Sequence, residues 1–148
     1  MFVVLDTGPL GMVTHPRASG ENRECNTWLQ GILRGGHSVV VPEICDYELR
    51  RELLRAEKRE GLKRLDALVS ALRYLPLSTP VMKRAAQLWA QARKEGRPTA
   101  PKEALDADVI LAAQTLSLEP THGSAVVATT NVGHLRRFVD ARTWREIF

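Results

Sequence analysis

The chain has 148 residues, a length typical of one folded unit, so we expect a single domain over residues 1–148. Hydrophobic residues make up 44% and charged residues 26%, a balance that excludes an intrinsically disordered protein. The net charge of +4 permits nucleic acid as a partner without requiring it.

The sequence carries no signal for a membrane or for export. No apolar run approaches the roughly 18 residues that cross a bilayer, and no basic region leads into a long apolar stretch at the start. The two cysteines, Cys25 and Cys45, have neither zinc-site spacing nor the number typical of a disulfide framework. We therefore expect a cytoplasmic protein with reduced thiols and no membrane partner.

Three short runs rich in β-branched residues predict strands. They are FVVL at 2–5, SVVV at 38–41 and AVVAT at 125–129. Continuous apolar runs are typical of strands buried on both faces, as in a parallel sheet covered by helices. Directly after the first run, Asp6 and Thr7 precede a Gly-Pro pair that favours a turn.

Helical spacing of apolar residues fills the stretches between the predicted strands. The predicted helices cover 24–33, 42–59, 62–72, 79–95 and 104–118. Gly61 is expected to divide the second helix from the third, and the proline-bearing stretch 97–103 to form a loop. The ending, 140–148, fits either a short helix or an edge strand.

Strands that alternate with helices of ten or more residues predict right-handed parallel crossovers. The expected fold class is therefore α/β, a three-layer α/β/α sandwich around a mainly parallel central sheet. In such open sheets, functional groups gather outside the carboxyl ends of the strands.

Four acids fall where this architecture places functional groups. Asp6 ends the first strand, and Glu48 lies within two turns of the start of the next long helix. Asp106 and Asp108 open the helix that precedes the third predicted strand. We therefore expect carboxylates from distant parts of the chain to meet at one edge of the sheet.

Grouped carboxylates repel one another and keep their charge at neutral pH chiefly when a cation lies among them. With oxygen ligands alone, and no His or Cys at metal spacing, Mg²⁺ or Mn²⁺ is favoured over zinc. Such an ion orients phosphate, activates water and stabilises a leaving oxygen. This chemistry is phosphodiester hydrolysis.

Asp106 and Asp108 are expected to have different roles. Two residues of helix turn the side chain by roughly 200°, so one of them should face away from the site. Asp108 begins the buried run VILAA and is the preferred ligand, whereas Asp106 suits a helix cap and is a second candidate. Glu43, the rival of Glu48, lies in a first helical turn, where a surface role is expected.

Each candidate also has a structural interpretation. Taken alone, Asp6 suits a turn before Gly-Pro, and Glu48 suits a surface ion pair with Arg51 or Arg55. Convergence of the acids at one sheet edge is what favours the metal site. Neutral residues at the strand ends either satisfy loop backbone or position water or phosphate: Thr7, Thr130 and Asn131.

Four segments, in order, carry a resemblance to a known family. They read VVLDTGPL, VVVPEICDYELRREL, DADVILAAQT and VVATTNVGHLRRF, and together they cover nearly the full length. The chain resembles the PIN domain, particularly the VapC-like ribonuclease toxins of type II toxin-antitoxin systems. Each motif is loose by itself, and four in the right order are fairly specific.

The resemblance implies a PIN-like α/β/α sandwich, an acidic Mg²⁺ or Mn²⁺ site and cleavage of single-stranded RNA. On this basis Asp6 corresponds to the first acid, Glu48 to the second and Asp108 to the third. A cognate antitoxin and a homodimer are the implied protein partners. Family members often have a further Asp in the last motif, where this chain has Asn131 and His134, and a weakened or metal-selective site is the alternative that this departure raises.

Two other functions compete with the ribonuclease. The departure at Asn131 favours a non-catalytic PIN-like module that binds RNA or protein. A receiver-like phosphoacceptor domain also gathers Asp at strand ends, but it needs a strand-end Lys that VVATTNVGHL does not supply. The basic residues between Arg50 and Arg64 predict a solvated helix face, with contact to RNA phosphate as the minority interpretation.

Overall fold

A computed structural model describes residues 1–95, 102–119 and 123–148, with the backbone alone for 102–105. Its centre is a five-stranded parallel sheet in the order β3-β2-β1-β4-β5. The strands are β1 (Phe2–Leu5), β2 (Ser38–Pro42), β3 (Arg73–Leu75), β4 (Ala125–Thr129) and β5 (Ala141–Thr143). The predicted α/β fold class is confirmed.

The three strands predicted from apolar runs form the middle of the sheet. Val3, Val4 and Leu5 of β1 are fully buried, and the central residues of β2 and β4 are at most 3% exposed. Strands buried on both faces need apolar side chains at every position, which is why these runs were legible in the sequence.

The two edge strands are short and mixed in character. β3 reads Arg-Tyr-Leu and is only partly buried, so it lacks the apolar run by which strands were recognised. The ambiguous ending contains both alternatives, because β5 is followed by a 3₁₀ helix, Trp144–Glu146.

Within the described residues, six α-helices connect the strands. They are α1 (Thr7–Thr14), α2 (Glu21–Arg34), α3 (Glu43–Arg55), α4 (Arg59–Ala71), α5 (Thr79–Lys94) and α6 (Lys102–Leu116). The helices α1 to α4 pack against one another, as do α5, α6 and the 3₁₀ helix Gly133–Arg137. The two groups are the outer layers of the expected α/β/α sandwich.

The predicted turn after Asp6 is wrong, because α1 begins at the next residue. Pro9 occupies its first turn, where a backbone N–H would have no partner within the helix, so the missing donor costs nothing. Asp6 is the N-cap of this helix. The first acid of the candidate site is thereby fixed at a helix start.

Gly61 does not divide α3 from α4, contrary to the sequence prediction. The break lies at 56–58, where Glu57 has a positive φ of 55°, and Gly61 belongs to the first turn of α4. A Cβ on Gly61 would lie 3.0 Å from Cδ2 of Leu53. The glycine therefore allows α3 and α4 to approach closely.

The last α-helix begins earlier than predicted. Because α6 starts at Lys102, Asp106 lies inside the helix and cannot be its N-cap. The predicted loop overlaps this helix at Lys102 and Glu103, and its first part, 97–101, lies outside the described residues, as does the predicted stop at Gly96.

The C-terminal segment is anchored on α2. The Trp28 indole N–H donates to the carbonyl of Ile147 at 2.7 Å, and its ring lies 5.8 Å from that of Trp144. Trp144 is 4% exposed, as expected for a core residue. Across the described ranges, no helix has the length and apolar character needed to cross a membrane.

Candidate metal centre

The candidate site lies at the carboxyl ends of the neighbouring strands β1 and β4, from which the chain continues into opposite layers. β1 continues into α1 in one layer, and β4 continues towards the 3₁₀ helix that packs with α6 in the other. Ligand sites in open α/β sheets form at such a crevice. The register pairs Leu5 with Ala128, so that Asp6 and Thr129 follow side by side.

Three donors from three elements hold the Asp6 carboxylate. Oδ1 accepts the Thr7 backbone N–H at 2.7 Å, and Oδ2 accepts the Thr129 hydroxyl at 2.7 Å. The Cys45 thiol lies 3.7 Å from Oδ1, within range of a weak S–H donor. The carboxylate is thus oriented, and two of these donors are side chains from α3 and β4.

Glu48 reaches the same region from α3. The Thr7 hydroxyl donates to Glu48 Oε1 at 3.0 Å, so Thr7 contacts the first acid through its backbone and the second through its side chain. Arg51 Nη2 lies 3.9 Å from Glu48 Oε2, a long and exposed ion pair. The Glu48 carboxylate therefore remains only loosely engaged on that side.

Asp108 is the half-buried acid of α6. The pKa of its carboxyl is raised to about 6, mainly by burial and next by the negative charge of Asp6, while His134 acts in the opposite direction. Glu48 adds a smaller repulsion. Asp108 therefore experiences the charges of both other predicted ligands, although they belong to distant parts of the chain.

These acids line one open groove of about 690 Å³. Its lining contains four carboxylates, the cation Arg51 and the aromatic Tyr47. The four acids are those selected from the sequence: Asp6, Glu48, Asp106 and Asp108. Asp106 is exposed, and it contributes to this lining together with Asp108, although one of the two was expected to face away from the site.

The donor set suits a hard divalent cation in its chemistry. All four carboxylates of the described groove lining offer oxygen, which Mg²⁺ and Mn²⁺ prefer, and the repulsion that raises the pKa of Asp108 is the kind that a cation relieves. In the part of the chain that the structure describes, however, no three His, Cys, Asp or Glu side chains are already arranged around a metal position. Ligation would need side-chain rotation.

Of the neutral residues selected from the sequence, only Thr7 lines this groove. Thr130 lies against Gly8, where an added Cβ would come within 2.8 Å of its Oγ1 and Cγ2. Asn131 is exposed, and its backbone N–H donates to the Thr129 hydroxyl oxygen at 3.1 Å. The loop after β4 therefore approaches α1 closely only because residue 8 is glycine.

Glu43, the rival of Glu48, has a structural contact. Its Oε1 accepts the backbone N–H of Leu77 at 2.7 Å, which ties the start of α3 to the segment after β3. Asp46, 8% exposed, accepts the Tyr74 hydroxyl at 2.8 Å and pairs with Arg50 at 3.0 Å. These two acids of α3 hold structure rather than facing the groove.

Several neighbours of the site were not among the residues selected from the sequence. Thr129 and Cys45 contact Asp6, His134 interacts with the charge of Asp108, and Tyr47 shares the groove. The hydroxyl at the end of β4 was legible as one of three consecutive polar residues, but only the register shows that Thr129 is the one beside Asp6. Tyr47 carried no sequence signal.

The raised pKa of Asp108 predicts a stabilising substitution. Between the ordinary pKa of 3.8 and about 6, the folded protein binds a proton that the unfolded chain releases, so ionised Asp108 disfavours folding above pH 6. At a fully buried carboxyl, such a pKa shift would lower the free energy of unfolding by more than at a half-buried one. Because solvent screens the half-buried Asp108, we expect its ionised form to lower the free energy of unfolding by about 1 kcal/mol. We expect Asp108→Asn to gain that stability at pH 7.5 without divalent metal and to lose the gain near pH 3.5.

Denaturant unfolding in EDTA at several pH values measures this effect. Asp106→Asn is the matched control, since its exposed carboxylate stays hydrated and its substitution should change stability much less. An equal gain at pH 3.5 and pH 7.5 for Asp108→Asn would contradict the electrostatic cause.

Comparison with solved structures identifies the fold. One match is a chain in the structure of VapBC2 from Rickettsia felis bound to a DNA fragment from its promoter, with a TM-score of 0.74, 16% identity, and 97% of this chain and 99% of that chain covered. A chain in the structure of FitAcB from Neisseria gonorrhoeae matches with a TM-score of 0.69 and 22% identity, and the match covers 98% of this chain and 99% of that chain. A chain in the structure of VapBC-1 from nontypeable Haemophilus influenzae matches with a TM-score of 0.65 and 17% identity, and the match covers 99% of this chain and 100% of that chain.

No family model matches the sequence, and no curated protein matches it. The likenesses to solved structures, at 16% to 22% identity, establish the fold. They confirm the expected PIN-like sandwich and, at the level of fold, the resemblance to VapC-like proteins.

Proposed function

We propose that this chain, which has the fold found in the VapBC and FitAcB structures, is a metal-dependent endoribonuclease that hydrolyses single-stranded RNA. The observation that carries the proposal is the groove at the carboxyl ends of β1 and β4. Asp6, Glu48 and Asp108 come to it from three separate parts of the chain. The fold supports it, and so does the resemblance of the four sequence segments to VapC-like toxins.

In the proposed site, Asp6, Glu48 and Asp108 hold Mg²⁺ or Mn²⁺, with Asp106 as a further oxygen donor. The ion, when bound, supplies a polarised phosphate and a water of lowered pKa. Thr7 and Thr129 hold the Glu48 and Asp6 carboxylates in place through their hydroxyls. Positioning water or phosphate remains the proposed role of the neutral groups at the strand ends, Thr7, Thr130 and Asn131.

The hydroxyl of Thr129 is expected to matter for metal affinity. The substitution Thr129→Val keeps the shape of a side chain that is 1% exposed but removes the donor to Asp6 Oδ2. Loss of a hydrogen bond to a ligand typically lowers metal affinity by about 10- to 100-fold. We expect this decrease in Mn²⁺ affinity by calorimetry for Thr129→Val, and near-normal affinity for Thr129→Ser; equal affinity in all three proteins would contradict the role.

The activity itself is tested with purified protein and a labelled single-stranded RNA. Cleavage should require Mg²⁺ or Mn²⁺, disappear in EDTA and return when metal is restored. A single-stranded DNA of the same sequence tests the choice of substrate. Cleavage that persists in EDTA, or no cleavage with either metal, would overturn the proposal.

As its biological role we propose a toxin held inactive by a cognate antitoxin, and a homodimer in solution. The solved structures named above are of complexes, which supports a protein partner. Within the segment from Leu49 to Leu72, Leu54 is 58% exposed and available for an interface, whereas Leu65 is fully buried. Co-expression with the neighbouring upstream reading frame should give a stable complex and restore growth. If no complex forms and growth is not restored, that reading frame does not encode an antitoxin for this chain.

A non-catalytic binding module is the second candidate. It is favoured by one observation, that the described acids do not form a ready three-ligand group. Calorimetry separates the two functions, because a binding module would bind RNA but would show no measurable binding of a divalent metal.

A further inference from the structure

We propose that Tyr47 and Arg51 form a nucleotide-binding platform beside the acidic groove, which takes one base and one phosphate of a single-stranded RNA. The inference rests on the proposed function and extends it by naming where the substrate is held. Both residues lie on α3, four positions apart, and therefore on one face of the helix.

Tyr47 presents an aromatic surface at the groove. Its side chain belongs to the groove lining and is 53% exposed. Among the described residues that line the groove, it is the sole aromatic one. An open aromatic ring is a surface on which nucleic-acid bases stack, whatever their sequence, because every base has a π face.

Arg51 lies over the Tyr47 ring. The guanidinium carbon is 5.1 Å from the ring centroid, within the range of a cation–π contact. This contact limits the motion of both side chains and covers part of one ring face, and the remaining exposed surface is open to a base. The pair is therefore arranged before any ligand binds, which lowers the entropy cost of binding.

The charge of Arg51 fits an anionic partner. It is the sole Lys or Arg among the described residues of the groove lining, and its side chain is 59% exposed. Its 3.9 Å approach to Glu48 is long for an ion pair and leaves other guanidinium N–H groups for a second acceptor. A phosphate oxygen is an acceptor for which the guanidinium fork has the right geometry.

The other charges of the groove explain why such a platform is needed. Four carboxylates repel the RNA backbone, and a bound divalent ion offsets only part of that charge. A cation and a stacking ring on one side of these acids would hold the strand while one phosphate lies near the metal ligands. Tyr47 and Arg51 would then fix the position of the bound strand relative to the cleaved bond.

The experiment measures binding of a fluorescent single-stranded RNA in Ca²⁺, with RNA integrity checked on gels. Tyr47→Ala should weaken binding roughly tenfold, whereas Tyr47→Phe, which keeps the ring, should bind nearly as wild type. Arg51→Gln should reduce the slope of log affinity against log salt by about 0.7, the value of one phosphate contact on a single strand. Folding of each variant is verified by circular dichroism.

An RNA with one base removed at each position in turn identifies the stacked base. At one position, loss of the base should weaken wild-type binding as much as Tyr47→Ala does, and the two changes together should add little further. Additive losses at every position would overturn the stacking role.

Matched controls lie elsewhere on the surface. Arg55→Gln removes a cation one turn further along α3, with 71% of its side chain exposed, and Phe148→Ala removes an aromatic residue that is 94% exposed. Both should bind RNA as wild type. If wild type cleaves RNA while the Tyr47 and Arg51 variants bind as tightly as these controls, the platform is wrong and the proposed function stands; if wild type neither binds nor cleaves RNA, both proposals fail.

Discussion

Replacing Asp6 with Asn is expected to reduce metal-dependent cleavage of single-stranded RNA by roughly a thousandfold, because a metal ligand contributes several kcal/mol to the transition state. Asn keeps the size of the side chain and one oxygen, but it removes the negative charge beside Thr129 and Thr7. The fold should survive, since an Asn is also a good N-cap for α1.

Single-turnover rates with saturating Mn²⁺ measure this loss. Asp140→Asn is the matched control, since Asp140 is exposed and pairs with Arg142 outside the groove lining. An Asp6→Asn protein that unfolds like wild type and cleaves as fast would contradict the assignment of Asp6.

The second large effect is on stability. Gln114 is fully buried in α6, where its Oε1 accepts the Ile44 backbone N–H at 3.2 Å and its Nε2 donates to the Leu75 carbonyl at 2.8 Å. Gln114→Leu keeps the volume but leaves both backbone groups without this partner. We expect a loss of about 3 kcal/mol in the free energy of unfolding, and a Tm lower by about 10 °C.

Thermal and denaturant unfolding test this prediction. Gln91→Leu makes the same replacement at an exposed position of α5 and should change stability by less than about 0.5 kcal/mol. A Gln114→Leu protein as stable as the control would mean that this hydrogen-bonded link between α3, β3 and α6 contributes nothing.

Much of the fold was predictable because its central strands are buried on both faces. Val3, Val40 and Val127 lie in the middle of apolar runs that no surface strand would carry. The edge strands were not predictable in the same way. Arg73 of β3 has one side in solvent, so its strand lacks a hydrophobic signature, and only pairing with Val40 defines it.

The candidate site was predictable in its acids but not in their surroundings. Asp6 and Glu48 follow legible strands, and topology then determines which edge they share. Contacts such as Thr129 to Asp6 depend on the register of β1 and β4, which no short-range pattern encodes. The start of α1 was misjudged because Gly8 and Pro9 favour turns locally, whereas the Asp6 cap and burial of Pro9 favour the helix.

The most direct test of the account is the anomalous scattering of Mn²⁺ in a crystal soaked with that ion. We expect one peak in the groove, with oxygens of Asp6, Glu48 and Asp108 all within coordination distance of it. A fully soaked crystal with no ion touching these three carboxylates would contradict the central claim that they form one metal centre.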